Sequence, residues 1–508
     1  AARALKPWLE VKDLAEQLCN KWPVRALGVQ QISWPEERLT LTLHTGQIED
    51  TLPRAHFKTD AWFLDGFSPA KNEAMWADSL WAELAERSNP KARVATFTVA
   101  GAVRRGLESA GFSVEKKPGH GRKRERLEAV YPGDGAWPEF PTRPQIAIIG
   151  AGISGACLAN ALTQRGAEVT VFDAASGPDQ GTSANPLALI MPRLDAADTI
   201  QARLLVDAYL SAQSFYCDLE GASITETQHF PRDDTEARRF EKLLADPPLG
   251  LEQLEAIRNG GVLHKASMIL QPAKIRAALL AGLDVRWGLK ADIDLDTKRV
   301  NGSAYESIVL AGGWHLETLV PNLDLTARLG QVESFESEVD APPGALASGH
   351  YALASGRTRL WGATFEDHCD GDPEATSAAR DSNISALDAL NPYWLRDAKS
   401  ADLSSHVGVR ATTADRLPLI GRLPDNTGLL ADRPALERAG WKLPKGAHER
   451  EGLFVAGGYG SRGFTWAPWA ARILTAEIFG DPSPASNDSL RTIAPIRQTL
   501  RRIKRGLI

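Results

Sequence analysis

Cysteine is scarce in this sequence, and the four present, Cys19, Cys157, Cys217 and Cys369, stand far apart. There is no Cys-x-x-Cys pair and no zinc-like spacing. Neither a disulfide scaffold nor a bound metal is indicated, and the thiols read as buried groups of a protein in a reducing, cytoplasmic setting. Long apolar runs are missing too. None reaches the roughly 18 residues that a spanning helix needs, and no stretch has the layout of a secretory signal. The chain begins Ala1-Ala2-Arg3 without Met, as expected of a fragment or a processed form. Charge of one sign is also weak: the net charge is -6 and the pI about 6.0, so nothing draws the whole molecule to a polyanion. A nucleic acid would have to be held by local basic patches. Internal repeats, low-complexity tracts and recognisable RNA-binding motifs are absent.

What is present is an ordinary globular composition, 43% hydrophobic and 24% charged, over 508 residues. That is too long for one core and predicts two or three domains. Apolar runs at 39–42 and 61–64 read as strands, and the polar stretch between them has room for a short helix. "MWADSLWAELAER" has helical spacing, "RVATFTVA" reads as a strand, and "AVRRGLESAG" as a helix ended by Gly111. "FSVEKKPG" opens a hairpin. Such alternation predicts an α/β layer arrangement. Four prolines and two glycines between Tyr131 and Pro144 break any regular element, so a linker is expected at 134–143. It separates a first domain, 1–133, from a second, 144–484, and a basic tail follows at 485–508.

The second domain opens on chemistry. "QIAII" is a strand that runs into Gly150-Ala151-Gly152-Ile153-Ser154-Gly155, with glycines at G-x-G-x-x-G spacing. A helix capped by Gly166 follows, then the strand "EVTVF" with Asp173 at its end. The first glycine permits the tight turn, the second lets backbone approach a pyrophosphate, and the third lets helix and strand pack closely. Phosphate would sit at the helix N-terminus, and Asp173 would accept hydrogen bonds from ribose hydroxyls. A second glycine cluster, Gly457, Gly458, Gly460, Ser461 and Gly463, follows the strand "LFVAGG" far downstream. A late return to the cofactor suits FAD, whose flavin end needs a second segment to close over it.

This domain resembles the glycine oxidase and sarcosine oxidase group of flavoproteins. The likeness rests on the Gly150 loop, "GTSANPLALIMPRL", "GVRATTADRLPLIGRLPD" and the Gly457 cluster. It implies an FAD-binding α/β domain with an inserted α+β substrate domain. It also implies that Ser183 and Asn185 contact FAD, that Arg410 pairs with a substrate carboxylate, and that Arg462 is a second positive group facing the same region. An arginine suits the task, since a bidentate guanidinium fixes the carboxylate of an N-substituted glycine. Its Cα–H is then set to pass a hydride equivalent to the flavin.

In the first domain, "DAWFLDGFSPAKNEAMW" places Asp65 at a strand end, followed by a turn and a proline. This resembles the amine-orienting motif of class I methyltransferases, in which carboxylate and turn carbonyls accept hydrogen bonds from the amine. Together with "ATFTVAGAVRRGLESAGF" and "GHGRKRERL", and followed by a flavin domain, it resembles the bifunctional tRNA 5-methylaminomethyl-2-thiouridine biosynthesis enzymes along nearly the whole chain. The resemblance implies a partial methyltransferase domain of Rossmann-like fold joined to the flavoprotein. It implies two reactions on a tRNA wobble uridine: FAD-dependent removal of a carboxymethyl group from 5-carboxymethylaminomethyluridine, then S-adenosyl-L-methionine-dependent methylation of the amine. The family's glycine-rich methyl-donor loop finds no match in residues 1–23, which hold no glycine, and Gln47 stands where an acid is usual. The donor site is therefore expected to be incomplete and methyl transfer weak. For tRNA phosphates the candidates are "EKKPGHGRKRER" and six basic residues of the tail: Arg491, Arg497, Arg501, Arg502, Lys504 and Arg505. A monomer is expected, without membrane or metal. The rival reading is an oxidase of free glycine or sarcosine.

Overall fold

The computed structural model describes residues 11–34, 36–67, 71–119, 121, 124–133, 142–368, 371–441 and 446–507. Ser68, Pro69, Arg122, Lys123, Cys369 and most of the expected linker lie outside the described residues.

The centre of the second unit is a six-stranded sheet. Its order is Asp284–Arg286, Glu168–Phe172, Gln145–Ile149, Ser307–Leu310, Glu449–Gly457 and Leu419–Pro424, with the last strand antiparallel and the others parallel. Parallel strands covered on both faces read as continuous apolar runs. Accordingly Ile146, Ala147, Ile148, Ile308, Val309 and Leu310 are fully buried. Helix Ile153–Arg165 packs beside helix Gly463–Phe479, which inserts Trp466 and Trp469 into the same core. Gly166 ends the first helix in the left-handed region, at φ 110°, the usual glycine C-cap.

A second, eight-stranded sheet stands over the first. The path Leu254–Ile257, Gly261–Leu270, Ala222–His229, Leu325–Ser348, His350–Gly362 forms its body. Strand Ser404–Thr413 adds along Leu325–Ser348 in antiparallel register, Arg410 opposite Arg328 and Gly408 opposite Gly330. This sheet carries Arg410 to the cofactor-binding edge of the first.

The N-terminal unit holds a four-stranded sheet ordered Thr59–Leu64, Ser88–Thr96, Glu125–Val130, Ser113–Pro118, and a separate hairpin of Gly28–Trp34 with Leu39–Thr45. Helices Ser79–Arg87 and Gly101–Ser109 cover the sheet through Leu80, Trp81, Leu84, Val103 and Leu107. The unit is docked on the second by backbone bonds. Asn487 N–H donates to Arg54 O at 2.7 Å, Ser483 N–H donates to His56 O at 3.0 Å, and Ala26 forms a β-bridge with Leu249.

The basic tail, read as a candidate contact for tRNA phosphates, is folded onto the second unit. Residues Asn487–Ile493 and Ile496–Lys504 are helices packed on the second unit, with Ile493 and Ile503 fully buried. Arg497 and Arg501 both bond to Asp415, at 3.0 and 2.6 Å, Arg502 approaches Asp324, and Lys504 lies over Trp441. The amphipathic spacing Ile496, Leu500, Ile503 explains this: a helix with one apolar stripe buries it. Four of the six basic residues are thus engaged internally.

Candidate active site

The loop after Gln145–Ile149 adopts the geometry its glycines require. Gly150 sits at φ 109°, and a Cβ there would stand 2.6 Å from the Ala311 carbonyl oxygen. A Cβ at Gly155 would overlap the Gly150 carbonyl. Gly152 precedes helix Ile153–Arg165, whose first-turn N–H groups have no partner within the helix. Asp173 braces the loop: its carboxylate accepts the Ala151 N–H at 2.6 Å and the Ala175 N–H at 2.8 Å. Ser183 accepts the Ile153 N–H at 3.0 Å, and Ser154 donates to the Ala456 carbonyl at 3.0 Å.

These bonds draw together segments that are remote in sequence. Thr182, beside Ser183, donates to the Val409 carbonyl at 2.7 Å, next to Arg410. The Gly460 N–H donates to the Ala411 carbonyl at 2.8 Å, and a Cβ on Gly463 would touch Ile153 at 3.5 Å. Gly457 packs on Leu316, and Gly458 takes a left-handed turn at φ 68°. Ser461 is exposed on that turn, and Asn185 is half-buried next to Ser183. The four predicted stretches therefore meet along one crevice.

Arg410 follows Val409 on strand Ser404–Thr413. Its guanidinium rests on Gly330, where any Cβ would overlap it, donates to the Thr364 carbonyl at 3.0 Å and stacks at 5.8 Å from the Phe365 ring. Among the described residues no carboxylate pairs with it. Burial holds its pKa below arginine's ordinary value, and Tyr351 is the group that raises it. Tyr351 is half-buried, and desolvation pushes its hydroxyl up, so that it remains a donor within electrostatic reach of Arg410. Arg462 precedes helix Gly463–Phe479, and burial, then Arg193, pull its pKa down to about 10.

Three contributors escaped the sequence reading. Tyr351 stands in "HYALAS", where nothing but tertiary contact marks it. Ala311 and Gly312 follow the buried strand "SIVL" and press on Gly150; a glycine pair after an apolar run was the available signal. Arg276, on helix Pro272–Leu280, is 2% exposed. It donates to the Ala151 carbonyl at 3.0 Å and to the Pro178 carbonyl, and its Nε has no partner. Its charge faces Asp173 and Asp179.

The cradle fits a dinucleotide: glycines with no room for side chains, first-turn N–H groups with no partner within the helix, an acid at the ribose position and a buried cation behind the loop. An oriented, desolvated guanidinium further along suits a carboxylate. Comparison with known proteins agrees. The pattern of the family described as FAD dependent oxidoreductase matches residues 145–477, and that of an S-adenosyl-L-methionine-dependent methyltransferase matches 9–132. Proteins named tRNA 5-methylaminomethyl-2-thiouridine biosynthesis bifunctional protein are 36% identical in Caulobacter sp. and 35% in Maricaulis maris. The matches cover 98% and 100% of this chain and 81% of each relative. The chain belongs to this bifunctional family. Among solved structures, glycine oxidase from Geobacillus kaustophilus (TM-score 0.54, 19% identity, 70% of this chain and 98% of that one) shares the fold of the second unit. So does iminodiacetate oxidase from Chelativorans sp. (TM-score 0.54, 18% identity, 69% and 98%).

In the first unit, Asp65 is exposed at the end of strand Thr59–Leu64, beside a turn closed by the Trp76 Nε1 bond to the Phe67 carbonyl at 2.7 Å. That strand pairs with Ser88–Thr96 on one side and is unpaired on the other among the described residues. The hairpin cations Lys116, Lys117 and Arg126 pair with Glu125, Glu115 and Glu128, all at the surface. Described residues hold no cluster of three or more metal-ligating side chains, and no helix is long and apolar enough to cross a membrane.

Proposed function

We propose that the chain processes the wobble uridine of tRNA as its relatives' name states, with the second unit removing the carboxymethyl group from 5-carboxymethylaminomethyl-(2-thio)uridine. The observation that carries this is Arg410: a desolvated cation with no carboxylate of its own, joined through Thr182 and Ser183 to the dinucleotide cradle. FAD bound in that cradle supplies a two-electron acceptor. Arg410 grips the substrate carboxylate through a two-pronged bond, with Tyr351 as a second donor. That grip orients the methylene C–H bond that breaks, while a C=N bond forms to the nitrogen. Water adds to the imine carbon, the C–N bond breaks, and glyoxylate leaves with a primary amine on the uridine. No protein acid or base is required, provided that the amine reacts neutral. Loop N–H groups and Arg276 hold the cofactor end, and Asp173 the ribose.

Methylation of that amine falls to the first unit, with Asp65 orienting the lone pair toward a donor methyl group. We place the chain in the cytoplasm, working as a monomer.

Anaerobic mixing tests the reading. tRNA carrying the carboxymethylaminomethyl group is expected to bleach the flavin, and free sarcosine to bleach it far more slowly. Efficient bleaching by free sarcosine and none by the modified tRNA would instead establish an amino-acid oxidase.

A further inference from the structure

Beyond Arg410, cations gather at a second place. Arg462 is half-buried and feels the exposed Arg193, which in turn feels two further exposed arginines, Arg239 and Arg416, from separate segments. Arg193 ends the stretch that passes the flavin site, Arg239 lies on helix Asp234–Ala245, and Arg416 follows strand Ser404–Thr413 in a left-handed turn at φ 60°. The backbone explains the convergence. Gly460, two residues before Arg462, bonds to Ala411, and the Arg416 N–H bonds to the Thr413 carbonyl at 3.0 Å. Arg239 stacks on Phe240, whose ring meets His229 at 4.7 Å, and His229 feels Arg462, Arg239 and Arg232. Arg193 in turn feels Arg239 and Arg416 as well as Asp195.

Acidic groups do not balance this cluster. Glu236 is shared by Arg232 and Arg239, at 2.8 and 3.1 Å. Arg193, Arg416 and Arg462 have no carboxylate within ion-pair distance among the described residues. Like charges gathered around Arg193 repel one another, and an anion relieves that repulsion. A free amino acid offers one carboxylate, which Arg410 already receives. A chain of phosphodiesters offers several anions in a row, and guanidinium forks match their oxygens.

We propose that Arg193, Arg239 and Arg416 form a phosphodiester-binding rim, with Arg462 as its floor, that seats the RNA backbone on either side of the uridine being modified. The inference rests on the tRNA reading above and locates the backbone contact that the tail and the hairpin, with their internal ion pairs, supply less well.

The test compares Arg193→Gln/Arg416→Asn with the unaltered holoenzyme; Asn tolerates the positive φ at 416. Flavin reduction is followed anaerobically with modified tRNA and with the free modified nucleoside, over a range of KCl. Each single-strand phosphate contact contributes about 0.7 to the log–log salt slope, so losing two lowers it by about 1.4. Half-saturation by tRNA is expected to rise about tenfold or more at low salt, with the rate on the nucleoside unchanged. The Arg193→Lys/Arg416→Lys protein keeps both charges and is expected to keep the slope. An unchanged slope in the Gln/Asn protein overturns the rim, as does an equal loss on tRNA and nucleoside. Failure of the unaltered enzyme to be reduced by modified tRNA would remove the underlying function instead.

Discussion

Replacing Arg410 separates its cost to the fold from its use to the substrate. In the protein alone the guanidinium is a desolvated cation with one carbonyl bond, to Thr364 at 3.0 Å, an aromatic neighbour at 5.8 Å and no counter-charge. A bound carboxylate adds two parallel charge-assisted bonds. Lysine at 410 keeps the charge but offers a point donor instead of a fork. Losing one such bond costs about 1.5–3 kcal/mol, so Arg410→Lys is expected to lower kcat/KM by about 10- to 100-fold. Arg410→Met removes the charge altogether. It abolishes turnover of carboxylate substrates, yet leaves thermal stability equal or higher, because an uncompensated buried charge has gone. The assay is steady-state turnover with modified tRNA, alongside thermal unfolding and the flavin absorbance of the purified protein. Flavin content should stay at the unaltered level in both variants. Unchanged kcat/KM in Arg410→Lys refutes the carboxylate role. A large loss of stability in Arg410→Met refutes the picture of an unpaired charge held ready for substrate.

Three further outcomes follow from the same geometry. Gly155→Ala drives a methyl group into the Gly150 carbonyl, so the loop must open and the purified protein is expected to be colourless; full flavin content would refute the tight turn. Arg276→Met removes the bond to Ala151 and a buried positive charge behind the pyrophosphate position. The FAD dissociation constant of the apoprotein, read by flavin fluorescence, should rise at least tenfold and lose part of its salt dependence, with Arg276→Lys restoring some of both. Asp207, buried between helix Ile200–Tyr216 and the Gly28–Trp34 hairpin, has its carboxyl pushed up to about 8 by desolvation. The folded chain therefore holds a proton that the unfolded chain releases near pH 3.9, and this group erodes stability as pH rises from about 4 to 8. Asp207→Asn should flatten that decline and unfold at a higher temperature than the unaltered protein at pH 8; an equal pH dependence would count against it.

Local signals carried the cofactor half of the site. Gly150, Gly155 and Asp173 are required by the backbone path itself, so their spacing shows in any sequence window that holds a strand, a turn and a helix. Arg410 needed a resemblance, because a single arginine in a strand has no periodicity to betray it. Tyr351 and Arg276 could not be found at all from sequence. Both act through contacts between segments remote in sequence, Arg276 with the carbonyls of Ala151 and Pro178, and neither breaks a local pattern. The tail shows the opposite failure. Its basic residues are conspicuous in the sequence, yet the apolar stripe between them decides the outcome, burying Ile493 and Ile503 and turning Arg497 and Arg501 inward onto Asp415.

That reversal bears on how an acidic chain can hold an RNA. Cations that are dense in sequence, on the hairpin and in the tail, are those most often neutralised by neighbours, since acids cluster with them: Glu115, Glu125 and Glu128 on one, Asp415 and Asp324 for the other. The cations left without acids among the described residues, Arg193, Arg416 and Arg462, come from three distant segments and meet only in three dimensions. A net charge of -6 is no obstacle to such a site, because screening confines each charge's influence to about 10 Å and only the local sum acts on a bound phosphate. On the proposal made above, arginines gathered by the fold would discriminate a nucleotide from a free amino acid at the point where the two substrates differ.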